Sequence, residues 1–200
     1  MRNVNIVLTV GALLLGGAAF ADTGRIGDSD REFIEKAAMG GMAEVKLGRL
    51  AVERAQSSTV KDFGRRMIDD HTRVNRNLQQ VAAKKGVTVP SRLSPEDQAL
   101  YDRLSRLSGA EFDRAYLDAM AKDHDQDVAE FKKQANEAQD PELKAFARGA
   151  LPTLEEHDDL AHRALGRTGA SEARPMKSGE MPQQRRPLPP EQETPHQPGR

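Results

Sequence analysis

Four long stretches of this chain place apolar residues at alternating steps of three and four, with helix breakers between them. That spacing keeps the apolar side chains on one stripe of an α-helix, and no segment alternates at period two as a strand would. The first predicted helix runs from Asp30, its expected N-cap, to Gln56, with Phe33, Ala37, Gly40, Leu47 and Ala51 on the stripe. "SST" at residues 57–59 breaks and re-caps the chain, and a second helix follows from Val60 to Lys85, stopped by Gly86 as a C-terminal cap. "VTVPSRL" is extended, because Pro90 disfavours helix in the residue before it. Ser94-Pro95 opens a short helix, serine as cap and proline at the first position, which is expected to end near Ser108-Gly109. A third long helix covers Ala110 to Ala138. Asp140-Pro141-Glu142 opens a fourth, continuing to about Leu165, and Pro152 is expected to kink it because its ring opposes the carbonyl four residues back.

Helices of this length, about 40 Å at 1.5 Å per residue, predict an all-α four-helix bundle. The segment from residue 87 to 109 is too long for a tight hairpin. It can reach back along the bundle and place its short helix in a crossover between the second and third long helices, the connection used by ferritin-like bundles. A plain up-down bundle with an ornamented loop is the alternative.

The segments outside the bundle set its address. "MRNVN" followed by "IVLTVGALLLGGAAF" and Ala19-Phe20-Ala21 has the basic, apolar and small-residue parts of a cleaved signal peptide over residues 1–21. The apolar run falls short of the roughly 20 residues that span a bilayer. No membrane span is expected after cleavage, and residues 22–29 read as a short linker. A periplasmic location follows. There is no cysteine, hence no lipid-attachment thiol and no disulfide. Residues 30–166 form the expected domain. Residues 167–200 hold most of the prolines and almost nothing to bury, so they read as a disordered tail through which an envelope protein partner could be met. Net charge is -1, with no tryptophan and two tyrosines, which offers nucleic acid neither an attracting field nor a stacking platform.

The stripes carry polar residues at their middles. On the second helix the order is Val60, Phe63, Met67, His71, Val74, Leu78, Val81. On the third it is Phe112, Tyr116, Met120, His124, Val128, Phe131, Ala135, and on the fourth Leu143, Ala147, Ala150, Leu154, His157, Ala161, Ala164. The first helix carries Glu44 between Gly40 and Leu47. Glu44 and His71 lie at matched distances on either side of Ser57, and His124 and His157 at matched distances on either side of Asp140. Antiparallel neighbours then bring one carboxylate and three imidazoles to one level. The motif Met-x-x-Asp-His occurs twice, at 67–71 and 120–124. Its aspartate is rotated about 100° from the stripe, where it can orient an imidazole on a neighbouring helix or face water.

Three readings of this layer are open. It can hold one transition-metal ion (Zn, Cu, Fe or Mn), with Glu44, His71, His124 and His157 as ligands and the thioethers of Met67 and Met120 as secondary candidates. It can be a structural hydrogen-bonded layer that fixes helix register, since each unpaired member costs roughly 1–3 kcal/mol. Or some of its members can turn outward. Asp159-x-x-His162 reads as surface, and His196 belongs to the tail. No nucleophile–base pair and no Gly-rich phosphate loop is present, so an enzyme is the weaker reading. Gly40 and Gly41 are expected to permit close helix packing.

The stretches "GGMAEVKLGRLAVERAQSSTVKDFGRRMIDDHTRVNRNLQQVAAKKG", "FDRAYLDAMAKDHDQDVAEFKKQA" and "ELKAFARGALPTLEEHDDLAHRA" resemble the bacterial exported proteins grouped as domain of unknown function 4142. The resemblance covers about residues 29 to 166. It implies a ferritin-like helical fold and no established activity. Di-iron bundles of that fold use Glu-x-x-His on two helices. None of the long helices here carries it, and Glu44 is the one carboxylate expected on the seam, so one ion fits the pattern better than two.

Overall fold

A computed structural model describes residues 26–172, and the expected leader and most of the proline-rich tail lie outside the described residues. The helices are α1 (Asp28–Arg54), α2 (Ser58–Lys84), α3 (Pro95–Leu104), α4 (Gly109–Glu137) and α5 (Pro141–Glu172). The fold is all-α: a ferritin-like four-helix bundle with the short α3 in the crossover between α2 and α4. Among the described residues, no helix is long and apolar enough to cross a membrane.

The helix ends show how the sequence sets the topology. At the foot of α2, Gly86 adopts a positive φ of 63°, and Val87 N–H reaches back to the Ala82 carbonyl at 2.9 Å. That closing turn points the chain away from a hairpin. Ser94 Oγ accepts from Asp97 N–H at 3.0 Å with Pro95 at the first position, which starts α3 where expected. α3 ends earlier than expected, at Leu104, and a turn leads into α4. The crossover returns the chain to the end it left: Ala55, just past α1, lies against Gly109 at the start of α4. α1 and α4 are therefore antiparallel, and α2 runs parallel to α4 on the opposite corner.

Two acids do work that differs from the local expectation. Asp30 does not cap α1, whose N-cap is Gly27; it is buried and accepts from the Asp140 backbone N–H at 2.8 Å, tying the foot of α1 to the α4–α5 turn. Asp113 does the equivalent at the other end, accepting from Gln56 N–H at 3.0 Å and Ser57 N–H at 2.8 Å. Asp140 caps α5 through Glu142 and Leu143, and Lys85 pairs with it at 2.6 Å. α5 passes through Pro152, which lies on the exposed side, and continues past the expected end at Leu165 to Glu172, so the first residues assigned to the tail are helical.

The core falls into two apolar clusters. The upper one, toward the α1–α2 turn, gathers Leu47, Leu50, Phe63, Met67, Phe112, Tyr116, Met120 and Leu104 of α3. The lower one, toward the α4–α5 turn, gathers Phe33, Ile34, Leu78, Phe131, Leu143, Phe146 and Leu154. In the upper half α1 and α2 touch at Gly48 and Gly64, where a Cβ on either would lie 2.8 Å from the other's carbonyl oxygen. Of the two glycines expected to permit close packing, Gly41 does so, facing Asn75, whereas a Cβ on Gly40 would meet open space.

Candidate metal centre

Between the clusters lies a polar layer to which each long helix contributes one side chain: Glu44, His71, His124 and His157, all between 0 and 2% exposed. The three imidazoles form a near-equilateral triangle, with ring centroids 5.7 Å (71–124), 5.1 Å (71–157) and 5.4 Å (124–157) apart. One ring nitrogen from each lies within 4.8 Å of the others. Met67 and Met120, one turn above His71 and His124, pack in the upper apolar cluster. His162 is half exposed and faces Asp125 and Asp158, both at 3.4 Å, rather than Asp159.

The outward hydrogen bonds orient two of the rings. His124 Nδ1 lies 3.0 Å from the Met120 carbonyl, which can only accept, so the ring hydrogen is on Nδ1 and the Nε2 lone pair points inward. His157 Nε2 lies 2.9 Å from Asp70 Oδ2. Burial works to raise the Asp70 carboxyl, but the hydrogen bonds from His157 and Arg73 outweigh it and hold the group below the ordinary carboxylate range. Asp70 is therefore ionised and accepts from His157 Nε2–H, leaving the Nδ1 lone pair to face the layer. A carboxylate or carbonyl on the outer ring nitrogen is the arrangement that fixes metal-ligating histidines.

Counting hydrogens exposes a deficit. Three close approaches lie inside the layer: His71 Nδ1 to Glu44 Oε2 at 2.6 Å, His124 Nε2 to Glu44 Oε1 at 3.3 Å, and His71 Nε2 to His157 Nδ1 at 3.2 Å. A neutral His71 supplies one hydrogen and a protonated Glu44 a second; the third approach has none. Neither Glu44 oxygen nor His124 Nε2 completes a hydrogen bond, although all are buried. An extra proton on the rings is disfavoured. Desolvation lowers His71 and His157 to about 4 and His124 to about 3, with repulsion among the rings adding to the shift at His124 and His157. Burial, with the charges of Asp123 and Asp97, pushes Glu44 well above the ordinary carboxylate range and so favours a proton on it. With the rings neutral, the layer is still one hydrogen short.

The sequence motif did not distinguish Asp70, which braces His157 on α5, from Asp123, which has a ligand oxygen within reach of Glu44 and His124. Asp127 and Asn75 were also missed. With Glu44 and His71 they line a small cavity with room for about one water, and the Asn75 side-chain oxygen is buried without a partner.

With the fold and the layer described, the relationships are plain. The family model for a domain of unknown function, DUF4142, matches residues 16–164. The chain belongs to the domain of unknown function 4142 family. Its fold is also that of a solved DUF305 fragment from Deinococcus radiodurans, at a TM-score of 0.63 and 21% identity, covering 71% of this chain and 98% of the fragment. No curated protein matches the chain.

Proposed function

We propose that this protein is exported to the periplasm and binds a single transition-metal ion through Glu44, His71, His124 and His157. The observation that carries the reading is the hydrogen deficit of the layer: His124 Nε2 and His157 Nδ1 face it as lone pairs because outer acceptors hold their hydrogens, and burial keeps all three rings neutral. Three imidazoles and a carboxylate suit Zn, Cu, Fe or Mn. The chemistry such an ion supplies when bound is that of a Lewis acid or, for Cu, Fe or Mn, a one-electron couple. The chain's own part is to hold the three imidazoles neutral in a buried layer.

Element analysis of the untagged mature protein tests this. About one ion per chain is expected, lost in His71→Ala and His124→Ala; no uptake of Zn, Cu, Fe or Mn by the wild type ends the proposal. The second reading, a structural layer within a non-catalytic envelope-stress or interaction module, is favoured by the direct 2.6 Å approach of Glu44 to His71. Under it, the same variants lower stability with no change in metal content, and any partner capture from periplasm through the tail disappears when residues 167–200 are deleted.

A further inference from the structure

The two copies of Met-x-x-Asp-His meet opposite surroundings. α2 and α4 run in the same direction on opposite corners, and α2 packs on α5 as α4 packs on α1. A half-turn about the bundle axis therefore exchanges His71 with His124, Asp70 with Asp123, and His157 with Glu44. On the α2–α5 side the acid has a hydrogen to accept, because Asp70 faces His157 at 2.9 Å, and Arg66 and Arg73 pair with it. On the α4–α1 side the partner is itself an acid. Asp123 offers an oxygen within 4.8 Å of a Glu44 oxygen and a His124 nitrogen. His124 can lend it no hydrogen, because its own is engaged by Met120.

The neighbourhood deepens this asymmetry. The charges acting on Asp123 are those of Asp97 and His71, and those acting on Asp127, one turn further along α4, are Glu44, Asp123, Asp97 and Glu130. Glu44 is fully buried with neither oxygen in a completed hydrogen bond, whereas Asp123 is half-buried. The geometry points to an outer cation subsite formed by Glu44, Asp123 and His124, through which a divalent ion enters the imidazole layer between α1 and α4. This rests on the layer holding an ion. A half-buried carboxylate such as Asp123 suits an ion that still carries part of its hydration shell. The opposite side, guarded by Arg66 and Arg73, repels one.

Cobalt(II) chloride mixed with the metal-free full-length protein, followed by stopped-flow absorbance and by equilibrium dialysis, tests the route. Asp123→Asn keeps the side-chain shape and is expected to slow cobalt association about tenfold or more while one bound equivalent is retained. Asp127→Asn is expected to slow it less, and Asp69→Asn, an exposed acid on α2, not at all. Wild-type rates in both Asp123→Asn and Asp127→Asn, or equal slowing by Asp69→Asn, overturn the subsite and leave the layer intact. Loss of the bound equivalent in folded Asp123→Asn overturns it too, since Asp123 is then an inner ligand. If circular dichroism shows Asp123→Asn unfolded, an unchanged rate in Asp127→Asn is decisive against the route. A wild type that takes up no cobalt overturns the layer reading itself.

Discussion

The two halves of the bundle are built from similar amounts of apolar material but are closed differently. Above the layer, α1 and α2 meet backbone to backbone at Gly48 and Gly64, and Phe112 stacks on Tyr116 with rings 11° from parallel. Below it, Phe33 meets Phe131 edge to face at 5.0 Å and Phe131 lies tilted against Phe146 at 5.9 Å. The α2–α5 seam there opens into a groove of about 420 Å³ lined by Val74, Val81, Phe146 and Ala150. A smaller groove of about 230 Å³ marks the same seam above. The small cavity beside Glu44 and His71 also reaches down to Leu78, Phe131 and Phe146 of the lower cluster. The layer is clamped on one side and cushioned on the other.

The largest test of that contrast is a pair of truncations. Phe112→Ala removes a fully buried ring from the tight half and is expected to cost about 3–5 kcal/mol in urea melts. Phe146→Ala, whose ring borders the groove, is expected to fall below that range, because its surroundings can relax. Equal costs would erase the distinction between the halves. Next in size, Gly48→Ala drives a methyl into the Gly64 carbonyl, a backbone atom that cannot swing aside, and is expected to cost about 1–3 kcal/mol. Gly40→Ala, into open space on a helix, is expected to gain about 0.5–1 kcal/mol. The sign difference between these two substitutions is the sharpest form of the comparison.

The smallest effect is that of pH on the metal-free protein. The layer histidines stay neutral in the folded chain down to about pH 4 or below, while in the unfolded chain they take up protons near the ordinary 6.5. Their contribution to stability is full above pH 6.5 and is lost as pH falls toward 4. Buried acids act in the opposite sense. Burial, with the charge of Asp97, lifts Asp123 to about 6, and Glu44 and Asp127 are also raised. The native state therefore holds extra protons, whose benefit is full at low pH and is lost as pH rises through the folded values. The two sets oppose each other between about pH 4 and 6.5, so thermal midpoints are expected to drift only slightly across that window. The imidazole C–H signals of all three histidines should remain fixed from pH 8 to 5.5. Movement of any of them near pH 6.5 would place that ring in water.

Much of the architecture was legible because it rests on local rules. Spacing of three and four, with Gly86, Ser94-Pro95 and Asp140-Pro141 as punctuation, locates the long helices to within a few residues, except that α5 runs on past Leu165 to Glu172. Matched distances from Ser57 and Asp140 are enough to bring Glu44 and the three histidines to one level. What escaped depends on partners remote in the chain. Asp30 looks like the cap of the helix it precedes, yet its hydrogen bond goes to Asp140. Asp113 looks like an ordinary first-turn acid but serves the α1–α2 turn. Gly40 and Gly41 are equivalent in sequence, and only the rotation of α1 against α2 decides which one is packed. The same holds for Asp70 and Asp123: identical motifs receive a donor in one case and a second carboxylate in the other, because the facing helix differs.

The contact of Gly48 with Gly64 has a mechanical consequence. Two rods whose backbones meet at one place pivot about it as on a fulcrum, and displacement grows with distance along the lever. Glu44 is one turn from the pivot on α1 and His71 two turns away on α2, whereas the far ends of both rods are several times more distant. A rocking of the pair about that point would move Glu44 and His71 less than the lower ends of α1 and α2.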